Sequence, residues 1–115
     1  MLKKRYRLVD DYLFRRLRQK GQRRYGGDLI LSFLPNKLPY SRVGFIVSRR
    51  YGSAVKRNRI KRLLREALRL HWAQIIPGWD MVWVVRPSLP SSSLAEIEKK
   101  VIRLLQSAGL WRKML

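Results

Sequence analysis

The sequence predicts a single α/β domain with a small mixed sheet of about four strands, in the order α-β-β-β-α-β-α. Three observations support this prediction. Apolar runs typical of strands lie on both sides of a long amphipathic helical pattern. Proline, glycine and serine cluster between these segments, as they do in loops. With 115 residues, 46% of them hydrophobic, the chain can bury one modest core, so we expect residues 1–115 to form one domain.

The first predicted element is a short helix. Residues 1–8 form a basic arm in front of it. Asp10 or Asp11 can cap its first turn, because a carboxylate accepts hydrogen bonds from unpaired amides there. The helix runs to about Lys20, and Gly21 closes it.

A short extended piece at residues 22–25 precedes two predicted strands, at residues 28–34 and 42–49. Both strands alternate a bulky face with a lighter face. The bulky faces consist of Leu29, Leu31, Phe33, Val43, Phe45 and Val47, and the lighter faces of Ile30, Ser32, Gly44, Ile46 and Ser48. We expect the bulky faces to carry the core and the two strands to pair as a hairpin. The lighter faces either hold a bound molecule, partly under the first helix, or are simply half-exposed.

The long helix spans the stretch from Gly52 to Trp72, where Ser53 can cap the first turn and no proline or glycine interrupts the pattern. Its apolar stripe consists of Val55, Ile60, Leu63, Leu64, Ala67, Leu68 and His71. A second stripe is cationic and consists of Arg57, Lys61, Arg65 and Arg69, with Asn58 and Arg62 beside it. Glu66 is the only acid among seven bases from Lys56 to Arg69. Like charges at this spacing oppose helix formation slightly, so the arrangement favours a polyanionic partner over a merely solvated face.

The C-terminal third predicts a strand and a helix. Residues 79–86 are nearly continuously apolar, as in a strand covered on both faces. This strand follows a strand and a long helix, so we expect it to lie parallel to the strand before that helix. Ser92 or Ser93 caps a last helix at about residues 94–108, which Gly109 ends. Residues 110–115 are expected to form a loose tail.

The formal net charge of +20 favours a negatively charged partner, with nucleic acid as the first candidate and an anionic membrane surface as the second. The chain has no cysteine and one histidine, so a disulfide framework and a cysteine metal site are excluded. No apolar run is long enough to span a membrane, and we expect a cytoplasmic protein. No carboxylate cluster, catalytic triad pattern or glycine-rich phosphate loop is present, so the chain does not have the pattern of a self-sufficient enzyme.

The run A-V-K-R-N-R-I-K-R-L-L-R-E-A-L-R, after a strand ending V-S-R-R-Y-G, closely resembles the signature of the bacterial ribonuclease P protein component. The resemblance extends to the basic arm L-K-K-R-Y-R-L and to the strand R-V-G-F-I-V-S-R-R. It implies the protein subunit of a ribonucleoprotein endonuclease that removes the 5′ leader from precursor tRNA. The implied partners are a catalytic RNA, which holds the active site and Mg²⁺, and precursor tRNA. No cofactor on the protein alone, no small-molecule substrate and no membrane are expected.

The resemblance also implies a fold and a site. The fold is a two-layer α-β sandwich with a left-handed βαβ crossover, whereas general rules favour a right-handed one. The residues that match the RNA-binding signature are Arg57, Asn58, Arg59, Lys61, Arg62 and Arg65. The expected leader cleft consists of Phe14, Arg18, Ile30, Ser32, Ile46 and Ser48, with no catalytic or metal-binding residue in the protein. Arg18 and Ser32 stand where the family often has aromatic residues, which weakens the case for stacking at those two positions.

Two other functions fit part of the pattern. A small basic ribosomal protein shares the size and the charge, but it does not predict the Arg57-Asn58-Arg59 triplet after a strand. A helix-turn-helix DNA-binding protein would need a partner helix just upstream of the basic helix, and residues 42–49 have a strand pattern instead. Phe14 has a plain alternative as well, which is core packing between the first helix and the sheet.

Overall fold

The computed structural model describes residues 2–90 and 93–112 of the chain. The helices and strands are α1 (Asp11–Lys20), β1 (Gln22–Tyr25), β2 (Leu29–Pro35), β3 (Arg42–Val47), α2 (Ala54–Leu70), β4 (Trp79–Val85) and α3 (Leu94–Ala108). Short 3₁₀ turns occur at Lys4–Tyr6, Arg49–Tyr51 and Trp72–Gln74. The order α-β-β-β-α-β-α and the four-stranded mixed sheet are confirmed.

The sheet has the strand order β1-β2-β4-β3. β4 lies parallel to β3, as predicted, and antiparallel to β2. The predicted hairpin between β2 and β3 is wrong, because β4 lies between them. The physical reason is the composition of β4, whose apolar side chains on both faces are best buried in the interior of the sheet. β3 is therefore an edge strand.

The bulky face of the sheet carries the main core. Leu31, Phe33 and Trp83 are almost fully buried there, and they share a hydrophobic cluster with apolar residues of α2 and α3. The lighter face carries a smaller cluster built around Leu17 of α1 and Val82 of β4. Helices thus lie on both faces, which refines the two-layer expectation: α2 and α3 cover one face, and the single helix α1 crosses the other.

Side-chain caps fix the helix starts. Asp10 accepts a hydrogen bond from the Tyr12 amide, Ser53 from the Lys56 amide, and Ser93 from the Glu96 amide. Ser92, the alternative cap for α3, lies outside the described residues. Gly109 ends α3 in the left-handed conformation with φ 75°, which a residue with a Cβ adopts only at a cost.

Two other expectations fail in part. Val55 is 78% exposed and does not belong to the apolar stripe of α2. The loose tail is wrong for its first residues, because Leu110 is 1% exposed and Trp111 forms a β-bridge with Ile75. Residues 113–115 lie outside the described part. The left-handed crossover stays a prediction from the resemblance.

The basic arm is partly attached to the sheet. Leu2 and Leu8 are buried, and the Leu8 amide donates to the Val43 carbonyl at 2.8 Å. The arm thus extends the sheet beyond β3 by a one-residue bridge between Arg7 and Val43. No helix within residues 2–90 and 93–112 is long and apolar enough to cross a membrane.

Candidate nucleic-acid interface

An open groove of about 570 Å³ runs between α1 and the β3 edge of the sheet. Its lining residues are Asp11, Phe14, Arg15, Arg18, Phe45 and Ile46. Phe14 forms one wall, with its ring against the backbone of Gly44; a Cβ at that position would lie 2.7 Å from Phe14 Cε1. Glycine at residue 44 therefore makes room for the ring. Three of the predicted cleft residues, Phe14, Arg18 and Ile46, come together here.

A row of apolar residues continues the groove floor across the sheet. Tyr25 is paired with Ile30, Ile30 with Val84, and Val84 with Ile46. Side chains of directly paired residues point to the same face, so the row crosses all four strands on the α1 side. Ile30, Val84 and Ile46 are half-buried and Tyr25 is exposed. We call these four residues the floor row; it contains the predicted Ile30 and Ile46.

The two predicted serines differ from expectation. Ser32 is 3% exposed and is paired with Val82, which packs in the cluster beneath α1. It therefore cannot contact a molecule in the groove, because α1 covers this part of the sheet. Ser48 is half-buried on the same face, and its hydroxyl accepts a hydrogen bond from the Arg50 amide at 3.1 Å. This hydroxyl caps a turn.

The cationic column of α2, which consists of Arg57, Lys61 and Arg65, lies on one flank of the buried stripe of that helix. All three side chains are half-buried. The Arg65 guanidinium lies 5.6 Å from the centroid of the Phe45 ring, within cation–π range. Phe45 also lines the groove. The column and the groove therefore meet at the β3 edge and form one surface.

The electrostatics of this surface favour an anion. Burial, followed by repulsion from Arg7 and Arg62, lowers the pKa of the Arg65 guanidinium. The group stays protonated at neutral pH, so the positive charges of Arg65, Arg7 and Arg62 lie close enough to repel one another. A phosphate between them would relieve that repulsion.

The other signature residues point elsewhere. Arg59 lines a separate pocket on the opposite flank of α2, together with Tyr51, Leu63 and Leu89. Asn58 and Arg62 are exposed on the outer face. The six predicted RNA-binding residues are thus distributed over three sides of one helix.

The basic residues predicted to bind RNA are not engaged in ion pairs with carboxylates in the described part of the chain. The ion pairs among residues 2–90 and 93–112 are Arg42–Asp80, Arg69–Glu66, His71–Glu98 and Lys100–Asp28. None of them includes a predicted RNA-binding or cleft residue. Within the same part of the chain, no three histidine or acidic side chains are grouped so that they could hold a metal ion.

Sequence reasoning missed three residues of this surface: Phe45, Val84 and Tyr25. Phe45 was assigned to the core because it alternates with the lighter face, and its half-exposure follows from the edge position of β3. Val84 and Tyr25 join the floor row only through the pairing of β4 with β2 and of β1 with β2. The signal that could have placed Val84 was the apolar character of β4 on both faces, which indicates an interior strand.

Comparisons with known proteins agree with one another. The family described as Ribonuclease P matches residues 2–109. The Ribonuclease P protein component of Roseiflexus castenholzii is 46% identical over 95% of this chain and 90% of its own length. The RNase P protein of Staphylococcus aureus superposes with a TM-score of 0.86 at 27% identity, covering 93% of this chain and 98% of that one. The RNase P protein from Thermotoga maritima superposes with a TM-score of 0.82 at 28% identity, covering 88% of this chain and 96% of that one.

Proposed function

The chain belongs to the ribonuclease P protein family, and we propose that it is the protein subunit of a ribonuclease P ribonucleoprotein that removes the 5′ leader of precursor tRNA. The partners are a catalytic RNA and precursor tRNA, and the compartment is the cytoplasm. Phosphodiester hydrolysis belongs to the RNA subunit and the Mg²⁺ that it holds, as the family resemblance implies. The protein supplies binding and charge neutralisation.

One observation carries the proposal. The cationic column of α2 and the groove beside α1 meet at Phe45, so a single extended strand can lie in the groove while its phosphates face Lys61 and Arg65. Phosphate contacts give most of the affinity in such complexes and carry little sequence information. A leader of any sequence can therefore be held in this way.

Binding the leader helps cleavage without a catalytic side chain. The RNA subunit holds the tRNA body while the protein holds the leader, and two linked contacts raise the affinity for the precursor over that for the mature product. The cations also reduce repulsion between the phosphates of the two RNAs. We therefore expect the holoenzyme to need less Mg²⁺ than the RNA subunit alone.

Reconstitution tests this function. The chain is mixed with the ribonuclease P RNA of a related bacterium, and cleavage of precursor tRNA is followed at a Mg²⁺ concentration where the RNA alone is slow. We expect a clear gain in the rate of 5′ leader removal. A triple variant with Arg57, Lys61 and Arg65 changed to Glu should lose the gain. If the unchanged chain gives no gain, a structural RNA-binding role such as that of a ribosomal protein is favoured instead.

A further inference from the structure

Tyr25 lies at the far end of the floor row, on the edge strand β1. It is 65% exposed, whereas Ile30 beside it is half-buried. Within residues 2–90 and 93–112, the Tyr25 ring has no aromatic partner and its hydroxyl has no hydrogen bond. A single exposed tyrosine is ordinary on a protein surface. Tyr25 differs because its pairing with Ile30 continues an apolar row that begins in the groove beside Phe14. At the β1 edge it also borders a pocket lined by Lys100 and Arg103 of α3.

The neighbours of Tyr25 carry positive charge. Arg23 precedes it by two residues, so strand alternation places the two on the same face. The Arg23 guanidinium donates to the Arg18 carbonyl at the end of α1, which holds this cation above the sheet. Arg86 follows Val84 by two residues, is exposed, and continues the ladder by donating its amide to the Asp28 carbonyl, so it lies at the same end of the sheet as Tyr25. An aromatic ring flanked by cations is the combination that single-stranded nucleic acids bind.

The groove and Tyr25 lie at opposite edges of the sheet, so the width of the sheet separates them. Four adjacent strands are separated by three interstrand spacings, so Ile46 and Tyr25 lie about 14 Å apart across the floor row. A strand that enters at the β3 edge, beside the cationic column of α2, reaches Tyr25 only after crossing β4 and β2. Contact with Tyr25 therefore requires a leader long enough to cross the sheet.

We propose that Tyr25 is a distal base-stacking subsite for the leader, in which an unpaired base stacks on the tyrosine ring and Arg23 or Arg86 contacts the adjoining phosphates. This inference rests on the proposed function and adds to it the path of the leader, from the β3 edge to the β1 edge. Stacking on an aromatic ring tolerates any base, so the subsite reads leader length and not leader sequence.

Equilibrium binding tests the subsite. The reconstituted holoenzyme is titrated with precursor tRNAs whose leaders are shortened one nucleotide at a time, and with mature tRNA. Tyr25→Ala should weaken binding by roughly 5- to 100-fold for long leaders, the usual value of one stacked base. For leaders too short to cross the sheet, and for mature tRNA, it should leave binding unchanged.

Two control variants separate stacking from other effects. Tyr25→Phe keeps the ring and should bind as the unchanged protein does. Tyr12→Ala removes a tyrosine of similar exposure, 60%, that lies on α1 outside the floor row, and it should bind normally. All variants should share one urea midpoint, because both tyrosines are exposed.

The outcomes distinguish the subsite from the function on which it rests. If the unchanged holoenzyme prefers long leaders and Tyr25→Ala keeps that preference in full, the subsite is refuted and the proposed function stands. A loss that is the same for every leader length and for mature tRNA also refutes the subsite. If the unchanged holoenzyme binds precursor and mature tRNA equally, leader binding by this protein fails, and the subsite fails with it.

Discussion

Phe14 contributes to the core and to the groove surface at the same time. Its ring is half-buried, packs with the cluster around Leu17 and lies directly on Gly44. The packing alternative considered from the sequence is therefore correct for part of the ring. The exposed part forms a wall of the groove, so the proposed RNA contact would use a side chain that the fold already holds in place.

Gly44→Ala tests this arrangement. The new Cβ would overlap Phe14 Cζ and lie 3.2 Å from the Leu8 Cβ, so the ring must move. We expect a loss of about 1–3 kcal/mol in the free energy of unfolding, as is usual for overpacking, measured by urea denaturation. Precursor tRNA binding should weaken as well, because the groove wall is displaced.

The control for this prediction is a double-mutant cycle with Phe14→Leu. A leucine removes the atoms that the new Cβ would meet, so the double variant should lose less stability than the sum of the two single variants. If Gly44→Ala alone leaves the urea midpoint unchanged, the ring does not constrain residue 44 in solution.

Sequence patterns predicted the direction of most side chains but not their depth. Alternation placed Ser32 on the lighter face correctly, yet Ser32 is buried because α1 lies above it, and the course of α1 over the sheet is a tertiary property. Val55 has the right spacing for the apolar stripe of α2, but it lies in the first turn, at the end of the helix, where it is exposed. Periodicity identifies a face, whereas packing decides which part of that face is covered.

At the level of elements, local signals were sufficient for boundaries and insufficient for strand pairing. Asp10, Ser53 and Ser93 are caps whose chemistry is local, and each begins the helix expected of it. The β2–β3 hairpin failed because pairing is decided by burial over the whole sheet. β4 has the strongest need for cover on both faces, so it takes an interior position that chain order alone does not indicate.

Helix α2 presents different basic residues to different surroundings, and this suggests a division of roles. The column of Arg57, Lys61 and Arg65 adjoins the groove, while Arg59 lies on the other flank near Leu89. From the sequence, contacts to the catalytic RNA and to precursor tRNA could not be separated. The two flanks of the helix now provide a basis for separating them.

Charge reversal on each flank tests that division. In the reconstituted holoenzyme, Lys61→Glu or Arg65→Glu should weaken binding of precursor tRNA by roughly tenfold or more, the usual value of a hydrogen bond to a charged group. Binding of mature tRNA should change much less. Arg59→Glu, the matched control on the opposite flank, should affect both tRNAs alike. Equal losses for both tRNAs in the Lys61 and Arg65 variants would show that the column serves the RNA subunit only.

For the whole molecule, the distribution of charge matters more than any single contact. The chain has 27 lysines and arginines against seven acids, and within residues 2–90 and 93–112 only three of those cations form ion pairs with carboxylates. Such an excess opposes compaction by self-repulsion. The fold withstands it through two hydrophobic clusters, and a polyanionic partner would relieve it.

The salt dependence of binding measures how many of these cations contact RNA. If about six phosphates are neutralised, the logarithm of the association constant for precursor tRNA should fall with the logarithm of salt concentration with a slope of about −4 to −5. Affinity would then drop by about a thousandfold between 50 and 200 mM salt.

Arg65→Glu should make the slope shallower by about one, because a phosphate contact is lost. Lys99→Glu, an equal charge change at an exposed position on α3, should leave the slope unchanged, because α3 covers the face opposite the groove. A slope near zero would mean that binding neutralises no phosphates, and equal changes in both variants would mean that net charge attracts RNA without defined phosphate contacts at the groove.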